Sequence, residues 1–186
     1  MILLVFAALG FLIGLLTGGS FRGMARYALA GVLLPIAAYL LKAGATLLFA
    51  PQTGAIIVSL LQYSLIFLFL LLNYRRPIWP LVAFIGSLLN FLVIVLNGGC
   101  MPVSASLLSG AGERLTQLLE GRVYAYCLTT ASTCLPLLGD IIRIGPASMP
   151  FGYASVGDII LCIGISILCW QMTQTPREAG DAEKKA

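Results

Sequence analysis

The chain has 186 residues, of which 60% are apolar and only 10% charged, with a mean hydropathy of +1.01 and a formal net charge of +4. Soluble domains carry roughly a quarter of their residues as charge, so this composition excludes an ordinary soluble domain and points to a polytopic membrane protein with too little polar sequence for a second core. Histidine is absent, which excludes Ser-His-Asp and Cys-His machinery, histidine-ligated metals and imidazole relays. Any acid-base chemistry falls to carboxylates, cysteines, tyrosines or lysines.

The run Ile2 to Leu16 is unbroken and apolar, with no basic region ahead of it, and is expected to be a retained first helix rather than a cleaved leader. Gly10, Gly14 and Gly18 recur every four residues, which predicts a face that lets another helix approach closely. A second span is expected from Tyr27 to Leu41 and on toward Phe49, kinked at Pro35. A third covers Ala55 to Leu72, a fourth runs from Ile78 or Leu81 to Leu96, and a fifth from Val156 to Trp170. The expected fold is all-α: a polytopic membrane helical bundle of about five transmembrane helices, several of them shorter than the roughly 20 residues a span ideally needs. Residues 1–170 form a single membrane domain on this reading, and residues 171–186, charged and carrying Pro176 and Gly180, a disordered cytoplasmic tail.

Basic residues orient the chain. Arg22, Arg26, Arg75, Arg76, Arg177, Lys184 and Lys185 follow the first, third and fifth spans, whereas Lys42, Arg114, Arg122 and Arg143 fall on the other side among acidic residues. The positive-inside rule then places the N-terminus outside and the C-terminus in the cytoplasm of a bacterial inner membrane. The net positive charge is a topogenic signal on this reading, and no nucleic-acid partner is expected.

The outer loop, residues 97–155, is far longer than a connection requires. It opens on Asn97-Gly98-Gly99-Cys100-Met101-Pro102-Val103, a turn whose glycines suit positive φ and whose proline suits the start of a helix. Structurally the turn is an exit from the fourth span; functionally Asn97, Gly98 and Gly99 are candidate binding residues that expose backbone N–H groups. Leu107, Leu108, Ala111, Leu115, Leu118 and Leu119 share one helical face, predicting an outer amphipathic helix on the membrane surface or over a cleft. Tyr124 to Leu138 is apolar but interrupted by hydroxyls and Pro136, and is a candidate re-entrant segment. Cys100, Cys127 and Cys134 lie on the oxidising side, where a disulfide can form but spacing does not say which two pair. Cys162 and Cys169 are expected to pack inside the fifth span, and no metal site is expected from these spacings.

Two aspartates stand in Gly-Asp boxes: Asp140 in Leu138-Gly139-Asp140-Ile141-Ile142-Arg143 and Asp158 in Ser155-Val156-Gly157-Asp158. A carboxylate at the edge of an apolar helix is costly unless it is neutralised or paired. One reading is structural, with Asp158 capping the last helix and Asp140 paired with Arg143. The other is catalytic: converging carboxylates share a proton, one acting as base toward water and the other as acid.

These boxes, together with the Gly-Gly-x-Met-Pro-Val turn and Asn90-Phe91-Leu92, resemble an uncharacterised family of small bacterial integral membrane proteins. A partial likeness extends to lipoprotein signal peptidases, small aspartic peptidases with an Asn-x-Gly turn, a Gly-Asn-x-x-Asp-Arg box and an Asp that opens the last helix. Asp158 matches the second catalytic aspartate of that pattern, Asp140 stands at its asparagine and Arg143 at its first aspartate. The likeness implies an intramembrane aspartic hydrolase with Asp140 and Asp158 as candidate catalytic residues, Arg143 as a binding residue, no cofactor, and a membrane-embedded peptide or lipid as substrate. The alternatives are a transporter or lipid-binding protein that uses the same aspartates, and a non-enzymatic assembly partner that docks through Gly10, Gly14 and Gly18.

Overall fold

The structure, a computed structural model, describes residues 2–50, 52–108, 112–146 and 151–174. Its helices in chain order are α1 (Ile2–Leu16), α2 (Phe21–Arg26), α3 (Leu33–Leu48), α4 (Ala55–Leu72), α5 (Trp79–Leu96), α6 (Gly112–Leu119) and α7 (Val156–Thr173). Between α5 and α7 the described residues also form β1 (Met101–Val103), β2 (Tyr126–Leu128), β3 (Ile142–Ile144) and β4 (Gly152–Ala154). The chain is therefore mostly helical rather than all-α, with β1–β2 parallel and β3–β4 antiparallel.

By length and composition α4, α5 and α7 can each cross a membrane, at 18 residues apiece; α1 and α3 are apolar but have 15 and 16 residues. The α3 boundary corrects one expectation. Pro35 lies in the first turn of α3, where a missing N–H costs nothing, so it begins the helix and no kink is needed. Tyr27 caps α2, and Asn73 holds the intervening loop by bonding both the N–H and the C=O of Ala30. The last helix runs through Thr173, three residues beyond Trp170. Gln171 to Gln174, expected in the tail, instead complete the helix and its cap, and residues 175–186, with Arg177, Lys184 and Lys185, lie outside the described residues.

Helix α7 lies between α1 and α5, and glycines set the spacing. A Cβ on Gly10 would collide with the backbone of Ser166, and one on Gly14 with the Thr173 side chain. On the other flank a Cβ on Gly86 would meet the backbone of Leu161, and one on Gly164 the backbone of Ala83. Close approach brings polar groups together: Ser166 Oγ donates to the Phe6 carbonyl (2.6 Å) and Gln174 Nε2 to the Gly14 carbonyl (2.8 Å). Gly10 and Gly14 thus serve packing within the chain, while Gly18 sits beyond α1 at φ 93 facing open space. Lipid is as apolar as leucine, so van der Waals contact at such small-residue seams has to supply helix association.

Many large apolar side chains point outward, among them Leu4, Leu16, Leu33, Leu47, Leu61 and Leu81, each more than 50% exposed. An apolar exterior of this extent suits hydrocarbon rather than water. The buried residues gather in three clusters: around Trp79 and Leu168, around Tyr63 and Val93, and around Ala45, Val58 and Tyr124, the last of these tying the long loop to α3 and α4.

Enlarging a seam glycine should therefore cost more than enlarging one in open space. Gly164→Leu is expected to destabilise the fold by roughly 1–3 kcal/mol or more from overpacking, whereas Gly44→Leu, with nothing within 4 Å of its Cβ position, should be nearly neutral. Thermal unfolding of both variants in one detergent checks the contrast, and equal losses would disprove it.

Candidate functional site

The long loop folds over the ends of α3, α4, α5 and α7. Gly98 and Gly99 adopt φ of 69° and 93° as the turn requires, and a Cβ on Gly99 would collide with the α4 backbone at Ile56. Pro102 does not start a helix. It lies in β1 opposite Cys127 of β2, a parallel pairing in which its absent N–H is tolerated on such a short element. The expected re-entrant segment is made of β2, a turn and a short 3₁₀ turn at Pro136–Leu138. Asn97 serves this architecture: its Nδ2 donates to the carbonyls of Val93 (2.7 Å) and Cys134 (2.9 Å), and its Oδ1 accepts from Cys134 N–H (2.9 Å).

Asp158 is fixed by a closed ring of hydrogen bonds. Ser155, the N-cap of α7, accepts from Asp158 N–H at Oγ (2.9 Å) and donates its own N–H to Asp158 Oδ2 (3.0 Å), a reciprocal capping box. Asn90 of α5 closes the ring, donating from Nδ2 to Asp158 Oδ1 (2.7 Å) and accepting from Ser155 Oγ at Oδ1 (2.7 Å). Gly157 makes room, because a Cβ there would strike Asn90 Oδ1. Asn90 and Ser155 are buried, and the bond between their side chains is made away from competing water, while the three bonds to Asp158 are part-buried. The capping reading of Asp158 matches this geometry. Asn90 entered the sequence reading only in the Asn90-Phe91-Leu92 run and was not named as a site residue, although a lone amide in an 18-residue apolar helix was a usable signal.

Asp140 has a different environment. Its N–H donates to the Pro102 carbonyl (2.8 Å), its carbonyl accepts from Ser104 N–H (3.1 Å), and its neighbour Ile141 donates to the Ala154 carbonyl (3.2 Å). These bonds bring the two Gly-Asp boxes side by side. The Asp140 side chain is only 4% exposed, and its Oδ1 has no hydrogen-bond partner. Burial, and next the negative charge of Asp158, push its pKa up to about 7, partly offset by Lys42 of α3. The expected Asp140–Arg143 pair does not form among the described residues: Arg143 Nη2 donates to the Leu107 carbonyl (3.0 Å) and Nε is buried without a partner. Residues three apart along extended backbone point to opposite faces, which separates the two side chains.

A cavity of about 320 Å³ opens beside Asp140, lined also by Tyr126, Tyr153, Gln117, Val103 and Leu118. Asp158 is not among its lining residues. Tyr153 is the cross-strand partner of Arg143, and its hydroxyl is another buried polar atom without a partner. An acceptor and a donor therefore stand unpaired on residues that line the cavity, Asp140 Oδ1 and Tyr153 OH, while Arg143 is not among its lining residues. Lys42 Nζ sits 5.7 Å from the Tyr126 ring centroid on the same side. Burial, followed by the charges of Asp140 and Asp158, pushes the Tyr126 hydroxyl up to about 12, so it remains a donor at neutral pH. Among the described residues no cluster of three His, Cys, Asp or Glu is placed to hold a metal ion.

The Asp140 shift has a defined consequence for stability. With a folded pKa of about 7 against 3.8 for the free group, the native state holds a proton that the unfolded chain has released. Its contribution is most favourable below pH 4, declines between pH 4 and 7, and is flat above, with a span of about 4 kcal/mol at 1.36 kcal/mol per unit. Asp140→Asn should remove that slope and unfold at higher temperature than wild type at pH 8. Melting curves at pH 5 and pH 8 measure it, and an unchanged pH dependence in the variant would contradict the assignment. Ser155→Ala should instead destabilise at every pH by about 1–2 kcal/mol, the cost of a lost cap.

No curated protein and no solved structure matches the chain. The Asn90 ring, both carboxylates and the cavity all fall within residues 20–170, over which the chain matches the model of DUF5317, and it belongs to that family of unknown function.

Proposed function

We propose that this is a bacterial inner-membrane protein of five transmembrane helices, N-terminus outside and C-terminus in the cytoplasm, that binds a small zwitterionic amphiphile or lipid head group at its outer face through Asp140. Five spans rather than three is supported by the packing of α1 along α7 and of α3 along α4, and by lengths of about 22–24 Å for α1 and α3 at 1.5 Å per residue. Alternation of the five helices puts Arg22, Arg26, Arg75 and Arg76 at one end and residues 97–155 at the other, the distribution the positive-inside rule associates with an outer loop.

The observation that carries the binding reading is the pair of unpartnered polar atoms on residues that line the cavity, Asp140 Oδ1 and Tyr153 OH. A buried polar group without a partner costs about 1–3 kcal/mol, so two together mark a place where a ligand completes the hydrogen bonding. An ammonium or hydroxyl suits Asp140, and an acidic oxygen suits the Tyr153 hydroxyl. Val103, Leu118 and Val123 give the same cavity an apolar wall, which suits the stem of an amphiphile entering from the outer leaflet.

The intramembrane aspartic hydrolase is a second reading, favoured by one observation. Asp140 exchanges a proton near neutral pH beside the charge of Asp158, the division of roles that acid-base catalysis uses. The two readings differ over Asp158. Binding needs it only as a cap, so Asp158→Asn should retain the ligand, whereas a hydrolase would lose its turnover.

An ammonium ligand requires Asp140 as the anion, so occupancy should rise through pH 7, weak at pH 5.5 and full by pH 8. Mass spectrometry of small molecules and lipids extracted from purified wild type should find a zwitterionic species that Asp140→Asn lacks. Identical extracts from the two proteins would refute the proposal.

A further inference from the structure

The five cysteines are all free thiols in the structure, and their placement resolves what spacing leaves open. In the parallel β1–β2 pair Pro102 is opposite Cys127, with Met101 opposite Tyr126. Side chains alternate along a strand, so Cys100, immediately before β1, falls on the same face as Pro102 and Cys127. With Met101 N–H on the Ala125 carbonyl and Pro102 opposite Cys127, Cys100 is the diagonal cross-strand neighbour of Cys127 on that face, and the two thiols are near enough to influence each other's ionisation. Cys100 also donates to Gln52 Oε1 (2.6 Å), while Gln52 Nε2 donates to the Tyr126 carbonyl (2.8 Å), so the loop before α4 clasps both strands. Cys134 is exposed and its backbone is bound to Asn97, while Cys162 and Cys169 belong to α7.

We propose that Cys100 and Cys127 are a redox pair that closes into a disulfide at the outer face and staples the β1–β2 roof over the Asp140 cavity. The inference rests on the outer placement of the loop given above. The strand neighbours of the two cysteines explain its consequence. Val103 of β1 bridges Asp140, and both Val103 and Tyr126 line the cavity. A covalent link between the strands therefore fixes the wall that positions the Asp140 carboxylate, and reduction lets the strands part.

The oxidant is a dithiol oxidoreductase of the extracytoplasmic space in its disulfide form. One cysteine, as thiolate after loss of its proton to water, attacks a sulfur of that disulfide and expels the other sulfur as thiolate, giving a mixed disulfide. The second cysteine, likewise deprotonated, attacks the sulfur of the first cysteine in the mixed disulfide, forming the Cys100–Cys127 bond and expelling the oxidoreductase sulfur as thiolate, and the oxidoreductase leaves as the dithiol after taking two protons from water. Two cysteines are oxidised by two electrons, and one disulfide is reduced by two. Burial first, then the neighbouring Cys100, pushes the Cys127 thiol up to about 11, and burial raises Cys100 as well. Little thiolate exists at neutral pH, so closure is slow without a strong oxidant and accelerates as pH rises.

The test uses the full-length protein in its own membranes. Intact cells are first treated with a membrane-impermeant maleimide, then denatured in acid and SDS with a permeant maleimide of different mass, reduced, and labelled with a third. Peptide mass spectrometry should find Cys134 carrying the first label, Cys162 and Cys169 the second, and Cys100 with Cys127 only the third. Cys134 carrying the first label with Cys100 and Cys127 carrying the first or second would overturn the disulfide while the outer loop stands. Cys134 lacking the first label would overturn both. A Cys100→Ser/Cys127→Ser double variant supplies a second readout: reductant should lower the melting temperature of wild type by several degrees and leave the variant unmoved. An equal response in both would also overturn the staple. Neither cysteine is assigned to ligand binding, so retention of the zwitterionic species by the double variant reports on the binding proposal separately.

Discussion

The start of α7 is the constraint on which the rest of the molecule depends. A helix start leaves N–H groups without intrahelical partners and the carboxylate beside them needs donors, so the first turn has to be completed by neighbouring groups. Asn90, Ser155 and Asp158 do this in a closed ring in which each donates to, and accepts from, another member. One side of the ring belongs to α5 and the other to α7, so the same four bonds cap a helix and set its height against its neighbour. Gly86, Gly157 and Gly164 then allow the two backbones to meet along the seam. With α7 fixed, α1 is positioned against its other flank through Gly10 and Gly14, and the chain leaving β4 enters α7 at one defined point.

That fixed point explains why two similar Gly-Asp boxes have such different environments. Asp158 is surrounded by donors supplied by its own helix cap and by Asn90. Asp140, one strand away, has its backbone satisfied by Pro102 and Ser104 while its side-chain Oδ1 has no partner. An anion already fixed at Asp158 raises the cost of a second one at Asp140, and Lys42 offsets only part of that. Below about pH 7 the protonated Asp140 is the favoured state, and a cationic group brought by the proposed ligand would supply the compensation that the protein lacks. Fold stability and the proposed binding thus pull the same carboxylate toward opposite protonation states.

How much of this was legible in the sequence depended on the range of the determining interaction. The bounds of α4 and α5 and the start of α7 follow local hydropathy and were readable almost to the residue, as was the capping role of Asp158, one of two readings given for it, which needs only Ser155 three residues before it. Pro35 was misread because a helix interior and a first turn look alike until the Asn73 contact with Ala30 shows where the preceding loop is held. Pro102 and the segment after Tyr124 were misread for a stronger reason. Strands of three residues carry no periodicity, and β1 and β2 exist only because they pair with each other across the intervening α6. The two aspartates were conspicuous as isolated charges in apolar sequence. Asn90, Lys42, Tyr126 and Tyr153 were not singled out as site residues, since what makes them notable is their position beside the aspartates.

The same contrast of range bears on how the site can be regulated. Interactions local in sequence, such as the α7 cap, persist as long as the helix does. The roof over Asp140 is different: a pair of three-residue strands, a bridge from Val103 and the clasp of Gln52 hold together segments that are far apart in the chain. Short non-local pairings of this kind are the low-stability part of a fold, the part that opens first. The Asp140 cavity, lined by residues of the long loop, can change shape without disturbing the bundle. The Cys100 and Cys127 thiols lie across this movable roof rather than within the helix seam, which is where a covalent link has most effect on the cavity and least on the helices beneath it.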